Sequence, residues 1–133
     1  MRILLAEHHN QVLKAMQTLL REKTDYTLVG EAIDTDNLLD QVEKTNPDLV
    51  VLAWDLPGRP SADIIATLKT FNPRPTVVVI SSQLDLEETA LHAGADAFVS
   101  KGDPPEKLLV TLHEMQLSVE DQAKKQIDKL DEV

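Results

Sequence analysis

Four short groups of polar residues each follow a run of apolar residues, and together they hold acidic, basic, imidazole and hydroxyl side chains. The groups are Glu7-His8-His9, Ala53-Trp54-Asp55, Ser81-Ser82 and Lys101. Carboxylates and imidazoles are ligands that transition-metal ions accept. Glu7 and Asp55, with one of the two histidines, are therefore weak candidates for a metal site. We expect only one histidine to take part, because adjacent side chains usually point in different directions.

The apolar runs that precede these groups are typical of buried strands, and amphipathic segments separate them. The predicted strands are Ile3–Ala6, Thr27–Ile33, Leu49–Ala53, Thr76–Ile80 and Ala97–Val99. Strands that are apolar on both faces belong in a parallel sheet that helices cover on both sides. The sequence therefore predicts an α/β three-layer sandwich with five strands and five helices.

Helix starts are predicted from residues that commonly occupy the first positions of a helix. They are Asn10, Asp34 or Thr35, Ser61, Asp85, and Asp103 with Pro104 in the first turn. Sites in such sheets form at the carboxyl ends of the strands. The four polar groups should therefore lie along one edge of the sheet.

The composition narrows the function classes. The net charge is −10 and there is no cysteine. An acidic chain repels a phosphate backbone, so we expect no direct nucleic-acid binding. Lack of cysteine suits a reducing compartment, and no run approaches the ~20 apolar residues that span a bilayer. We expect a cytoplasmic domain without membrane contact.

The ordered motifs resemble bacterial response-regulator receiver domains over residues 1–117. The resemblance rests on four segments, which are "RILLAEHHNQV", "NPDLVVLAWDLPG", "PTVVVISSQ" and "GADAFVSKGDPPEKLL". The last is similar in style to receivers that precede helix-turn-helix output domains. The resemblance implies the flavodoxin-like receiver fold, with strand order 2-1-3-4-5, and a role in phosphorelay signal transduction rather than an enzyme activity.

Receivers of this family hold a divalent cation and a phosphoryl group in one pocket, and the resemblance assigns its positions here. A cation neutralises part of the phosphoryl charge, and a lysine and a hydroxyl take the rest. The matching positions are Glu7 and His8 for the two acids, Ala53 for the acceptor aspartate, Asp55 for a residue that gives a backbone carbonyl to the metal, Ser81 for the hydroxyl, Lys101 for the lysine and Phe98 for the switch aromatic.

Two of these positions depart from the family pattern. Ala53 has no group that can accept a phosphoryl, and a neutral imidazole at His8 is a poor ligand for Mg²⁺, which prefers oxygen. We therefore expect no cofactor, with Mg²⁺ binding weakened, and a degenerate phospho-acceptor position. Lys101 loses its usual counter-charge, which Glu7 or Asp55 would replace.

Two neighbours of Ala53 leave alternatives open. Asp55 is interpreted as a displaced phosphoryl acceptor, as a partner of Lys101 or as a solvated loop carboxylate. Trp54 either fills the space beside Ala53 or packs under a helix, as buried aromatic residues usually do.

The predicted function is that of an atypical receiver, a pseudo-receiver that works by phosphorylation-independent protein contacts. The partner, a second copy or another protein, would bind the fourth helix, fifth strand and last helix. The alternatives are a conventional phosphorelay receiver that uses Asp55, and a metal- or ligand-sensing domain on the same scaffold. A DNA-binding output domain would belong to a longer protein.

The end of the chain differs in character from the rest. Residues 1–117 form the predicted receiver domain, and residues 118–133 are mostly charged and polar, with apolar residues three to four apart. This spacing indicates either an extension of the last helix or a linker.

Overall fold

The computed structural model describes the backbone of residues 1–131 and the side chains of residues 1–118. Strands and helices alternate along this part of the chain. The strands are β1 (Arg2–Ala6), β2 (Thr27–Ala32), β3 (Leu49–Ala53), β4 (Thr76–Ser81) and β5 (Ala97–Ser100). The helices are α1 (Asn10–Arg21), α2 (Thr35–Thr45), α3 (Ser61–Leu68), α4 (Glu87–Ala93) and α5 (Pro105–Asp131), with a short 3-10 helix at Leu84–Leu86 before α4.

The sheet is parallel throughout, and its strand order is β2-β1-β3-β4-β5. This confirms the predicted fold class and strand order. The chain starts at the second position of the sheet, adds β2 as the edge strand on one side of β1, and then crosses β1 to build β3, β4 and β5 on the other side. The reversal of direction beside β1 opens a crevice at the carboxyl ends of β1 and β3.

Two apolar clusters, one on each face of the sheet, form the core. Leu4, Val50 and Val79 join the cluster that contains residues of α2, α3 and α4. Leu5 and Val51 join the cluster that contains residues of α1 and α5. Successive strand residues point to opposite faces, so the continuous apolar runs fill both clusters.

Two of the predicted helix starts are wrong. Asp85 lies inside the 3-10 helix, and α4 begins two residues later at Glu87. The Asp103 carboxylate accepts a hydrogen bond from the backbone nitrogen of Ser100 at 3.3 Å. It therefore closes the turn after β5, and α5 begins at Pro105, where a missing N–H costs nothing.

Other helix starts follow the prediction closely. Asp34 caps α2 by accepting a hydrogen bond from the backbone nitrogen of Asn37 at 2.7 Å. Ser61 is the first residue of α3. His9 occupies the position before α1, so Asn10 is its first helical residue rather than its cap.

Helix α5 continues without interruption from Pro105 to Asp131. Its first turns pack on the sheet through Leu108 and Leu112, which are buried. The helix thus runs on beyond residue 117, where the receiver domain is predicted to end. No helix in the described part of the chain is long and apolar enough to cross a membrane.

Candidate functional site

The strand register brings the predicted site residues to one edge of the sheet. Ala6 lies opposite Leu52, and Ser81 lies opposite Ser100. The next residues, Glu7 after β1 and Lys101 after β5, therefore leave the sheet at the same edge as Ala53, which ends β3. The site is a pocket at the carboxyl ends of β1, β3, β4 and β5.

Glu7 is the buried centre of this pocket. Its side chain has no exposed surface, and its Oε2 lies 2.9 Å from Nζ of Lys101. The other oxygen, Oε1, accepts hydrogen bonds from the backbone nitrogen of His9 at 3.0 Å and from Nδ1 of His9 at 2.8 Å. Both oxygens are thus held by groups of the chain itself.

These contacts decide the protonation of Glu7. Burial raises the pKa of its carboxyl group, because the charged form loses its hydration. The hydrogen bonds from Lys101 and His9, together with the positive charge of Lys101, outweigh burial and bring the pKa of Glu7 below its ordinary value. Glu7 is therefore ionised near neutral pH.

Asp55 lies at the rim of the pocket rather than inside it. Its side chain is 59% exposed, and its Oδ1 lies 3.7 Å from Nζ of Lys101. Its Oδ2 lies 3.9 Å from Nδ1 of His9. Of the two predicted partners of Lys101, Glu7 makes the short contact and Asp55 adds a longer one.

The two histidines are closer together than predicted. Their ring centroids are 3.9 Å apart, and donor atoms of both rings lie near Glu7 and Asp55. The expectation that only one histidine can face the carboxylates is therefore wrong. The reason is that β1 ends at Ala6, so the alternation of side chains along a strand no longer applies.

His9 contacts Glu7 more closely than His8 does, which was not predicted from the sequence. It holds Glu7 through its backbone nitrogen and its ring, whereas Nδ1 of His8 lies 3.9 Å from Glu7. The feature of the sequence that indicates this contact is the position of His9 directly before α1, where a backbone N–H is free to bind a carboxylate.

Ala53 and Trp54 face opposite sides of the sheet. Ala53 is fully buried in the cluster with residues of α1 and α5. Trp54 packs against the cluster with residues of α2, α3 and α4 and is partly exposed. Trp54 therefore packs under helices, as one of the two interpretations expected, and does not fill the space beside Ala53.

Two further predicted residues flank the pocket. Ser81 is buried, and its Oγ accepts a hydrogen bond from the backbone nitrogen of Gln83 at 3.1 Å. Phe98 in β5 is partly buried and packs against the α2–α3–α4 side of the core. The hydroxyl of Ser81 thus stabilises the turn that follows β4.

Comparisons with known proteins identify the family of this chain. The model of the response regulator receiver domain family matches residues 3–113. Among curated relatives, the nitrate/nitrite response regulator protein NarL of Escherichia coli is 32% identical over 114 residues, which are 84% of this chain and 53% of NarL. The transcriptional regulatory protein PdtaR of Mycobacterium tuberculosis is 35% identical over 101 residues, 75% of this chain and 49% of PdtaR.

Solved structures agree with these relatives at the level of the fold. RcsB of Salmonella enterica serovar Typhimurium, solved bound to promoter rprA in the presence of phosphomimetic BeF3-, superposes with a TM-score of 0.79 at 20% identity. The match covers 87% of this chain and 60% of RcsB. The chain spans about half the length of the curated relatives that it matches. By its sequence and its fold, this chain belongs to the response-regulator receiver domain family.

Proposed function

We propose that this receiver domain transmits a signal through protein contacts and accepts no phosphoryl group at the end of β3. One observation carries the proposal: the residue that ends β3 in the pocket is Ala53, a fully buried side chain without a nucleophile. Phosphoryl transfer to a protein needs an oxygen, nitrogen or sulfur atom that can form the new bond.

The state of Lys101 supports the same proposal. Its ammonium group would stabilise phosphoryl oxygens only if it faced them with its charge available. Here it lies 2.9 Å from the buried Glu7 carboxylate and 3.7 Å from Asp55. The positive charge of Lys101 is thus already neutralised by carboxylates of the pocket when no ligand is bound.

The donor atoms of the pocket also fit Mg²⁺ poorly. Mg²⁺ prefers near-octahedral oxygen ligands at roughly 2.0–2.1 Å. Ala53 supplies no side-chain oxygen, His8 supplies nitrogen, and one oxygen of Glu7 is paired with Lys101. The proposed mechanism therefore includes no step that depends on Mg²⁺.

Incubation of the chain with acetyl phosphate and MgCl₂ tests this proposal. We expect intact-protein mass spectrometry to show no added phosphoryl group. Trp54 is the single tryptophan and lies beside Asp55, so its fluorescence would report a ligand bound in the pocket. We expect no change in this fluorescence on addition of beryllofluoride. A receiver domain with aspartate at the end of the third strand serves as the positive control.

The variant Asp55→Asn separates the proposal from conventional phosphorelay. Asp55 is the exposed carboxylate nearest to Lys101, so it is the acceptor that the conventional alternative requires. A phosphoryl adduct that forms on the unaltered chain, is removed by hydroxylamine as acyl phosphates are, and disappears in Asp55→Asn would contradict the proposal.

The exposed apolar residues indicate where a partner would bind. Among residues with described side chains, the large exposed apolar ones are Ile33, Leu84, Leu91, Val110 and Leu117. All except Ile33 belong to the 3-10 helix, α4 or α5. Apolar residues that lose water on association favour binding. We propose that the face formed by α4, β5 and α5 contacts a second copy or another protein.

We also propose that this domain regulates a DNA-binding output domain in a longer protein. NarL and PdtaR are about twice as long as the matched part, and PdtaR is named a transcriptional regulatory protein. Translation of the reading frame downstream of codon 133 tests this, and a stop codon there would contradict it.

A further inference from the structure

Four metal-ligating side chains meet at the mouth of the pocket. Glu7, His8, His9 and Asp55 each contribute one donor atom, and these four atoms all lie within 4.8 Å of one another. The four residues come from two separate segments, the turn after β1 and the loop after β3. The fold therefore brings them together, and their closeness is not a result of sequence proximity alone.

The ring of His8 has a nitrogen that the rest of the protein does not use. Its Nδ1 is screened from solvent and has no hydrogen-bond partner among the described residues. It lies 3.9 Å from Oε1 of Glu7. A buried polar atom without a partner costs free energy, so such an atom directed toward a carboxylate favours a bound ion.

The spacing of the donors suits a small tetrahedral ion. Bonds of about 2.0–2.1 Å to nitrogen and oxygen place tetrahedral ligand atoms about 3.3 Å apart. Three of the separations are 2.8 Å from Nδ1 of His9 to Glu7, and 3.9 Å both from Nδ1 of His8 to Glu7 and from Nδ1 of His9 to Asp55, and all four donors lie within 4.8 Å of one another. Shifts of side chains, without movement of a strand, would equalise these distances.

The charges of the pocket also allow a divalent cation. Lys101 pairs with Oε2 of Glu7, which leaves Oε1 on the side of the histidines. With neutral imidazoles, two carboxylates and one ammonium leave one net negative charge. On ligation, the ring proton of His9 would have to lie on Nε2 instead of Nδ1, so that Nδ1 could bind the ion while the imidazole stays neutral.

We propose that Glu7, His8, His9 and Asp55 form a binding site for a late first-row transition-metal ion such as Zn²⁺. Two imidazoles and two carboxylates form a donor set for such an ion, whereas Mg²⁺ prefers oxygen alone. The site occupies the edge of the sheet next to Ala53, so its ion would sit beside the position of the family's phosphoryl pocket.

Isothermal titration calorimetry of the full chain with ZnCl₂ tests the site. We expect one ion per chain, and a loss of affinity of at least about 10-fold for His8→Asn and for His9→Asn. Both histidines are partly exposed, so these variants keep the core intact. The matched control is the double variant His92→Asn/His113→Asn, which alters exposed histidines elsewhere and should bind Zn²⁺ with unchanged affinity.

A spectroscopic measurement on the unaltered chain gives a second readout. Co²⁺ in place of Zn²⁺ should give the intense visible absorption of a four-coordinate ion, and a large excess of MgCl₂ should not remove it. The proposal is overturned if Zn²⁺ affinity survives His8→Asn and His9→Asn, if it depends on His92 and His113, or if Co²⁺ shows only the weak octahedral spectrum.

Discussion

The ion pair of Glu7 and Lys101 joins two strands that are not neighbours in the sheet. Glu7 follows β1, the second strand of the sheet, and Lys101 follows β5 at the opposite edge. Neither charge has much access to water, since Glu7 is buried and Lys101 is 15% exposed. Pairing two such charges gives little net stability, but removal of one leaves the other buried without compensation.

Replacement of Lys101 should therefore destabilise the domain more than its single contact suggests. We expect Lys101→Met to lower the free energy of unfolding by about 3 kcal/mol, because Glu7 would remain charged in the interior. The double variant Glu7→Gln/Lys101→Met should recover part of this loss. Urea denaturation at neutral pH measures both values.

Lys44 provides the matched control for this measurement. It pairs with Asp40 at 2.8 Å on one side of α2, but both side chains are largely exposed. Water and salt screen an exposed pair, so Lys44→Met should leave stability almost unchanged. Equal losses for Lys44→Met and Lys101→Met would contradict the role given to burial.

Acid should weaken the domain through Glu7. Its pKa is lower in the folded state than in the unfolded chain, because Lys101 and His9 outweigh the effect of burial. The stabilisation is therefore complete above the ordinary pKa of 4.5 and is lost as the pH falls through the lower folded value. Chemical denaturation between neutral and acidic pH should show a smaller acid loss in Glu7→Gln.

Glu22→Gln is the control for the pH series, since Glu22 is an exposed carboxylate after the last turn of α1. Its removal should leave the acid limb of the stability curve unchanged. If Glu7→Gln and Glu22→Gln lose stability alike on acidification, the pKa of Glu7 does not control the effect.

The positions of Glu7 and Lys101 in the pocket were predictable, and their exact partners were not. Each follows a continuous apolar run, and the carboxyl ends of parallel strands meet at one edge. The contact of His9 with Glu7 depends on the path of three residues between β1 and α1. No periodic pattern describes such a turn, so the shared orientation of His8 and His9 could not be predicted from the sequence.

The elements themselves were largely readable because each strand is apolar on both faces. The runs Leu49–Ala53 and Thr76–Ile80 correspond to β3 and β4 with at most one residue of difference. Asp85 and Asp103 misled the prediction for a physical reason: short acidic side chains bind free N–H groups in any tight turn as well as at helix starts.

An apolar groove of about 690 Å³ lies between α1 and α5. No pattern in the sequence predicted this groove.

The loop after β3 is attached to the start of α2 through Thr35, whose backbone nitrogen donates a hydrogen bond to the carbonyl oxygen of Pro57 at 2.9 Å. Oγ1 of Thr35 accepts a hydrogen bond from the backbone nitrogen of Arg59 at 2.9 Å. Gly58 precedes it with a φ of 120°, and a Cβ at this position would collide with the hydroxyl of Thr35. This loop carries Asp55, so its shape sets the rim of the pocket.

Alanine at position 58 should therefore distort the loop. We expect Gly58→Ala to lower the free energy of unfolding by about 1–2 kcal/mol, because alanine disfavours this φ and meets Thr35. Gly102→Ala is the control, since its Cβ would meet only Oγ of Ser100, at an ordinary 3.6 Å. Thermal unfolding of both variants measures the difference, and equal melting temperatures would contradict the strain.

The net charge of the chain opposes self-association. A net charge of −10 makes two copies repel each other, and salt screens this repulsion. Val110 and Leu117 lie seven residues apart on α5, so they lie on the same side of the helix and add apolar area for a partner. Binding between copies would therefore strengthen as the salt concentration rises.

Substitution of charge into this face tests the proposed contact. We expect the unaltered chain to dimerise without a phosphodonor, and Leu91→Glu/Val110→Glu to weaken the dimer at least 10-fold, as buried charges do at an interface. Ile33→Glu is the matched control, because Ile33 is 59% exposed and follows β2 on the opposite edge of the sheet. Size-exclusion chromatography with light scattering measures the dissociation constant, and equal effects of the two changes would contradict the face assigned.

The pairing of Glu7 with Lys101 also determines what an aspartate at position 53 would meet. Ala53→Asp would place a third carboxylate beside Glu7 and Asp55, with one ammonium group for all of them. Like charges brought close together raise each other's energy, so we expect Ala53→Asp to unfold at a lower urea concentration than the unaltered chain. A nucleophile at position 53 would therefore cost stability unless neighbouring residues changed with it.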